Sequence, residues 1–165
     1  MYSTLQQAVQ DLQAESAMTL KVLDALTDAS LAQPIVEGHR TLGQLAWHLA
    51  TSFQSILGQA GLQFDAPTSK SEAPATAEGI AESYRTASEA AIAAIQAQWT
   101  DATLQEQRLM FGMFDWSVSE TIARFIRHQA HHRGQLMVLM RQAGLAVPGV
   151  YGPSKEEMEA MSASR

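Results

Sequence analysis

The strongest constraint on this chain is a hydrophobic period of three and four residues, carried by four long segments. In the first, from about Thr4 to Thr27, Leu5, Val9, Leu12, Thr19, Leu20, Leu23 and Leu26 recur at helical steps. Thr41 opens the second: Gln44 stands three residues on, the spacing of a capping box, and Leu42, Leu45, Leu49, Phe53, Ile56 and Leu57 follow before Gly58 and Gly61. The third runs from about Thr76 to Gln98, with Ile80, Tyr84, Ala87, Ala91, Ile92 and Ile95 on one stripe. Ser117-Val118-Ser119-Glu120 repeats the capping-box pattern and starts the fourth, which reaches about Ala143, with Gly144 as its C-terminal cap. The connections are Asp28 to Arg40, with Pro34 and Gly38, then residues 62 to 75, with Pro67 and Pro74, then Trp99 to Trp116. Leu109 to Phe114 is expected as a short extended piece, and Ser154-Lys155-Glu156-Glu157 as the start of a short terminal helix. Four amphipathic helices must bury their stripes against one another. The expected fold is all-α: a four-helix bundle with long crossover connections, forming a single domain over residues 1–165.

Composition narrows the chemistry. The chain has no cysteine but 5 histidines, so a dithiol, a thiol nucleophile and a sulfur-ligated zinc site are excluded, and any metal must take nitrogen or oxygen ligands. A formal net charge of -6, with no basic run, disfavours nucleic acid, because such binding depends on cations that neutralise phosphates. The first residues lack the basic and apolar regions of a signal peptide, and no segment approaches the roughly 20 apolar residues of a membrane span. A cytoplasmic protein with no membrane or nucleic-acid partner is the expectation.

Three histidines fall within five residues of the fourth helix, at His128, His131 and His132. At roughly 100° per residue, His128 and His132 lie about 40° apart at the margin of the stripe formed by Val118, Ile122, Phe125, Leu136, Leu139, Met140 and Ala143. His131 points about 100° further round, away from the core. An i, i+4 pair of imidazoles can share a metal, and a third ligand must then come from another helix. His39 lies in the turn before Thr41. His48 sits mid-helix, at the margin of the stripe of Leu42, Leu45, Leu49 and Phe53. The resulting candidate metal site is His48, His128 and His132. Paired carboxylates at a helical Glu-x-x-His spacing are missing, which favours one ion over two.

The run His128-Gln129-Ala130-His131-His132-Arg133-Gly134-Gln135-Leu136, the upstream Trp47-His48-Leu49 and the tail Pro148-Gly149-Val150-Tyr151-Gly152-Pro153-Ser154 resemble the DinB/YfiT-like superfamily of metal-dependent enzymes over essentially the whole chain. The resemblance implies a four-helix bundle, usually a homodimer, with a divalent metal held by three histidines. It transfers those roles to His48, His128 and His132.

Three neutral imidazoles around zinc leave a fourth position for water or substrate. Zinc or nickel is the expected ion, and manganese or iron can use the same ligands. A water activated there predicts a hydrolase. Binding of a low-molecular-weight thiol predicts an S-transferase, since the superfamily includes relatives associated with mycothiol or bacillithiol. A metal-binding stress protein without catalysis is the third reading, and a helical interaction protein with incidental histidines the fourth.

Around the metal, Gln44 and Gln135 are candidates to orient a ligand or a bound water, although Gln44 also has its capping role. Arg124, one turn before His128, can bind an anionic substrate or be solvated. Glu120 is a possible base that its capping position explains better. Tyr151 can fold over the pocket mouth, or pack on the bundle or a partner. Asp115 and Trp116 can line an entrance.

Overall fold

The computed structural model describes residues 1–164. Four long helices make the bundle: α1 (Leu5–Leu23), α2 (Leu42–Ser52), α3 (Ala77–Gln98) and α4 (Val118–Gln142). A short hairpin of β1 (Gln107–Met110) and β2 (Phe114–Ser117) precedes α4, and α5 (Lys155–Ala163) closes the described chain. Helix α1 packs against α3 and α4, and α2 packs against the same two, so α1 and α2 lie on one diagonal. The all-α reading holds, with the small antiparallel sheet as an addition.

Local chemistry sets the helix ends. Thr4, Thr41, Thr76, Ser117 and Ser154 each occupy an N-cap, and each side-chain oxygen accepts the amide three residues on. At Thr41 the box is complete, because Gln44 Oε1 accepts the Thr41 amide at 2.9 Å. The box expected at Ser117 forms only its first half. Glu120 turns instead to Arg124, whose Nη2 donates to it at 2.7 Å. Gly144, with φ of +75°, ends α4 in the left-handed region that a side chain disfavours.

Three boundaries differ from expectation. Helix α1 stops at Leu23 rather than Thr27, because Thr27 is extended and caps a separate 3-10 turn, Asp28–Ala32, through a box with Ser30. The continuation of α2 is a π-helical turn, Phe53–Leu57. The extended piece expected at Leu109 to Phe114 is two strands joined by a turn, in which Phe111 and Gly112 have φ of 55° and 68°. Positive φ at both central positions is the requirement of a type I′ turn, and the Met113 amide closes it on the Met110 carbonyl at 3.0 Å.

The predicted apolar stripes form one core. Phe53 lies between Tyr84 and Phe125, with ring centroids 5.2 and 4.8 Å away, and joins α2 to α3 and α4. Such pairs add about 0.5–1.5 kcal/mol each beyond burial. Among the described residues, no helix is long and apolar enough to cross a membrane.

Candidate metal centre

Helix α2 places His48 on its seam with α4, and one turn of α4 separates His128 from His132. Their imidazole centroids lie 4.5 to 5.0 Å apart pairwise. One ligand nitrogen from each falls within 4.8 Å of the other two, so the trio can hold a metal ion. His48 Nε2 and His128 Nε2 are 3.1 Å apart. Zinc–nitrogen bonds of about 2.0–2.1 Å in a tetrahedron put two nitrogens about 3.3 Å apart, so this pair already has the spacing of two ligands on one ion.

The surroundings hold the three imidazoles in their neutral, ligating form. Burial pushes His48 down to about 4, with His132 and Arg40 adding repulsion. Burial, then the neighbouring histidines and Arg40, bring His128 down to about 4 as well. His132 is also lowered, chiefly by burial, although its bond to Gln135 opposes the shift. All three are therefore neutral near pH 7, as metal ligation requires. His132 Nδ1 lies 2.7 Å from Gln135 Oε1 and donates its N–H to that oxygen, which leaves the Nε2 lone pair for a metal.

The remaining candidates separate cleanly. Gln135 bonds the His132 ring. Gln44 is spent on the α2 cap. His131 is exposed, and His39 lies in an exposed turn. Tyr151 is not at the pocket mouth: its hydroxyl donates to Glu15 Oε2 at 2.8 Å and accepts from Arg133. The cause is the course of the tail, which is held on α1 by Lys21 Nζ donating to the Gly149 carbonyl and to Glu157 Oε1, both at 2.9 Å.

A cavity of about 420 Å³ opens beside His48 and His128. Its apolar wall is Ile56, Phe111, Trp116 and Phe125, so helix α4, the π-helical turn and the hairpin build it together. Arg124 and Arg127 supply its charge, and among the described residues no Asp or Glu lines it. The Arg124 guanidinium lies 4.3 Å over the Trp116 ring while paired with Glu120. Trp116 was expected at an entrance and is there; Asp115 is not among the lining residues. The π-helical turn was not foreseen, and it lets Ser55 and Ile56 reach the cavity after a run of Ser/Thr side chains that bond back to helix carbonyls.

Sequence reasoning also missed two buried polar residues on the inner face of α4, Gln129 and Arg133. Gln129 Nε2 donates to Ser52 Oγ at 2.7 Å and to the Leu49 carbonyl at 3.2 Å, bracing the stretch of α2 that follows His48. Its Oε1 accepts from the Tyr84 hydroxyl. Arg133 is 1 % exposed and pairs with Glu15 at 2.7 Å. Position was the available signal, since both continue the Phe125 and Leu136 stripe at helical steps.

Comparison with known proteins agrees with this architecture. The DinB family model matches residues 1–164. The uncharacterized protein YrdA of Bacillus subtilis (strain 168) is 44 % identical over 157 residues, covering 95 % of this chain and 93 % of that protein. A crystal structure of a DinB-like protein from Bacillus cereus ATCC 10987 superposes with a TM-score of 0.87 at 44 % identity, covering 92 % of this chain and all of the other. The DinB-like protein YjoA of Bacillus subtilis has the same fold at 17 % identity, with a TM-score of 0.68 over 87 % of this chain and 97 % of its own.

Proposed function

The chain belongs to the DinB family, and from that premise we propose that it is a divalent-metal-dependent hydrolase of small molecules, with His48, His128 and His132 as ligands. The observation that carries this reading is the convergence of three neutral imidazoles beside an apolar cavity, which leaves an open side toward a substrate. A divalent ion bound there supplies Lewis acidity, lowering the pKa of water or polarising a carbonyl. Zinc or nickel suits the all-nitrogen donor set, and manganese or iron is accommodated by the same ligands.

The protein's own groups do the rest. Neutral histidines leave the ion's full charge in place, since no carboxylate ligand offsets it. Gln135 holds the His132 ring and its tautomer. Gln129 ties α2 to α4 through Ser52 and Leu49, which sets the separation of His48 from the other two. The apolar wall excludes water from the substrate side.

One observation favours a second reading, a thiol S-transferase. Among the described residues no carboxylate lines the cavity to serve as a base, and a thiol of pKa about 8.5 needs far less help to ionise than water at about 15.7. The test begins with metal analysis of tag-free protein. We expect about one divalent ion per chain, and its loss in His48→Ala, His128→Ala and His132→Ala; wild type without metal under metal-replete conditions would sink the reading. A panel of esters, amides and epoxides, with and without low-molecular-weight thiols, then assigns the reaction. Thiol-independent turnover means hydrolase, and turnover requiring both metal and thiol means transferase.

A further inference from the structure

Two features of the cavity, its wall and its charge, specify a ligand more narrowly than the metal does. The wall brings Phe111 and Trp116 of the hairpin region against Ile56 and Phe125 of the bundle. Trp116 is held in place, because Phe114 stacks on it at 5.3 Å with 17° between planes and the Arg124 guanidinium lies over its ring. Its apolar surface is therefore presented in a fixed orientation, with little ordering cost on binding.

The charge is unbalanced. Arg124 is neutralised by Glu120, with bonds of 2.7 and 2.9 Å from Nη2 and Nε. Arg127 is not: its Nε donates to the Ala123 carbonyl of its own helix at 3.0 Å, and both terminal nitrogens lack a partner among the described residues. A guanidinium whose two terminal nitrogens are free beside an apolar wall matches a planar carboxylate in shape and charge.

We propose that this cavity takes a small organic carboxylate with an aromatic or branched apolar body: the body packs against Phe111, Phe125 and the free edge of Trp116, and the carboxylate faces Arg127. Such a ligand belongs to the metal-dependent reading above in that its reacting end faces the histidines, but its recognition depends on side chains that are not metal ligands. Arg127 is the specificity-determining residue, and Trp116 an apolar contact.

The test uses 2-naphthoate, the neutral 2-naphthamide and the cationic 2-naphthylmethylamine, titrated by NMR or tryptophan fluorescence against metal-loaded and metal-stripped full-length protein, with metal content measured on the same samples. In metal-stripped protein we expect naphthoate to bind about tenfold more tightly than naphthamide, and naphthylmethylamine to be weakest. Arg127→Gln should abolish the preference for naphthoate and leave naphthamide unchanged. Trp116→Ala should weaken naphthoate and naphthamide alike. Equal binding of the two in metal-stripped protein, binding of neither, or a preference for the amine would overturn the proposal. So would a preference that appears only with metal and survives Arg127→Gln, since the ion would then be the anion's partner. Wild type that binds naphthoate as expected yet takes up no metal would instead defeat the metal reading and leave the ligand class standing.

Discussion

Helix α4 carries two polar clusters one residue apart in sequence, and they are built on opposite principles. Arg133 faces α1, where both of its terminal nitrogens are bonded. Its Nη1 donates to Thr19 Oγ1 at 3.0 Å and to the Glu15 carbonyl at 3.1 Å, and its Nη2 to the Glu15 carboxylate and the Tyr151 hydroxyl. His132 faces α2, where three imidazoles crowd together with few partners. His128 Nδ1 is buried and unpartnered in the described structure, and nitrogens of His48 and His128 point at each other. A satisfied buried network ties helices together, whereas convergent imidazole nitrogens with little but one another for partners form a place for a cation. The same helix turn thus supplies a fastener on one side and a binding site on the other.

Breaking the fastener should produce the largest effect. Arg133→Ala strands the Glu15 carboxylate, itself only 16 % exposed, and should cost about 3–5 kcal/mol in denaturant unfolding. An unchanged midpoint with lost metal binding would invert the comparison. Next comes the site: Gln135→Leu should weaken metal affinity about 10- to 100-fold in chelator competition while shifting unfolding of metal-free protein by no more than about 0.5 kcal/mol.

Acid should separate the clusters further. For His48 and His128, both at about 4 in the folded state against an ordinary 6.5, the unfolded chain binds more protons between those values. Stability of the metal-free protein therefore falls as pH drops from about 6.5 to about 4. Urea midpoints across that window should show the decline, and a His48→Gln/His128→Gln double variant should flatten it.

The smallest effect tests the outer face of α4 beside both clusters. A Cβ on Gly134 meets nothing within 4 Å, so Gly134→Ala should stabilise the protein by about 0.5–1 kcal/mol in thermal unfolding. Destabilisation would show that this face is not open.

Much of this molecule was written into local order. The 3.6-residue period, the Thr and Ser caps and Gly144 specify four helices and most of their ends, because those signals act within one or two turns and need no distant partner. The same periodicity put His48, His128 and His132 on helix margins and His131 outside, since on a regular helix direction follows from residue count alone. Where the backbone leaves the ideal helix, counting loses direction: neither the π-helical turn at Phe53–Leu57 nor the positive φ at Phe111 has a strong sequence signature, and both shape the cavity. Pairing across helices is likewise invisible to a one-dimensional pattern. Arg133 read as one charged residue in a motif, and only the packing of α1 and the tail around it made it a buried, neutralised core group. For Tyr151 the sequence leaves two places open, the pocket mouth or the bundle surface, and the contacts with Glu15 and Arg133 select the second, because long-range contacts decide where a Gly- and Pro-rich tail rests. Sequence alone therefore determined the helices and the three histidines. Tertiary structure decided which polar side chains are satisfied and which remain open to a ligand, because satisfaction depends on atoms brought together from distant parts of the chain.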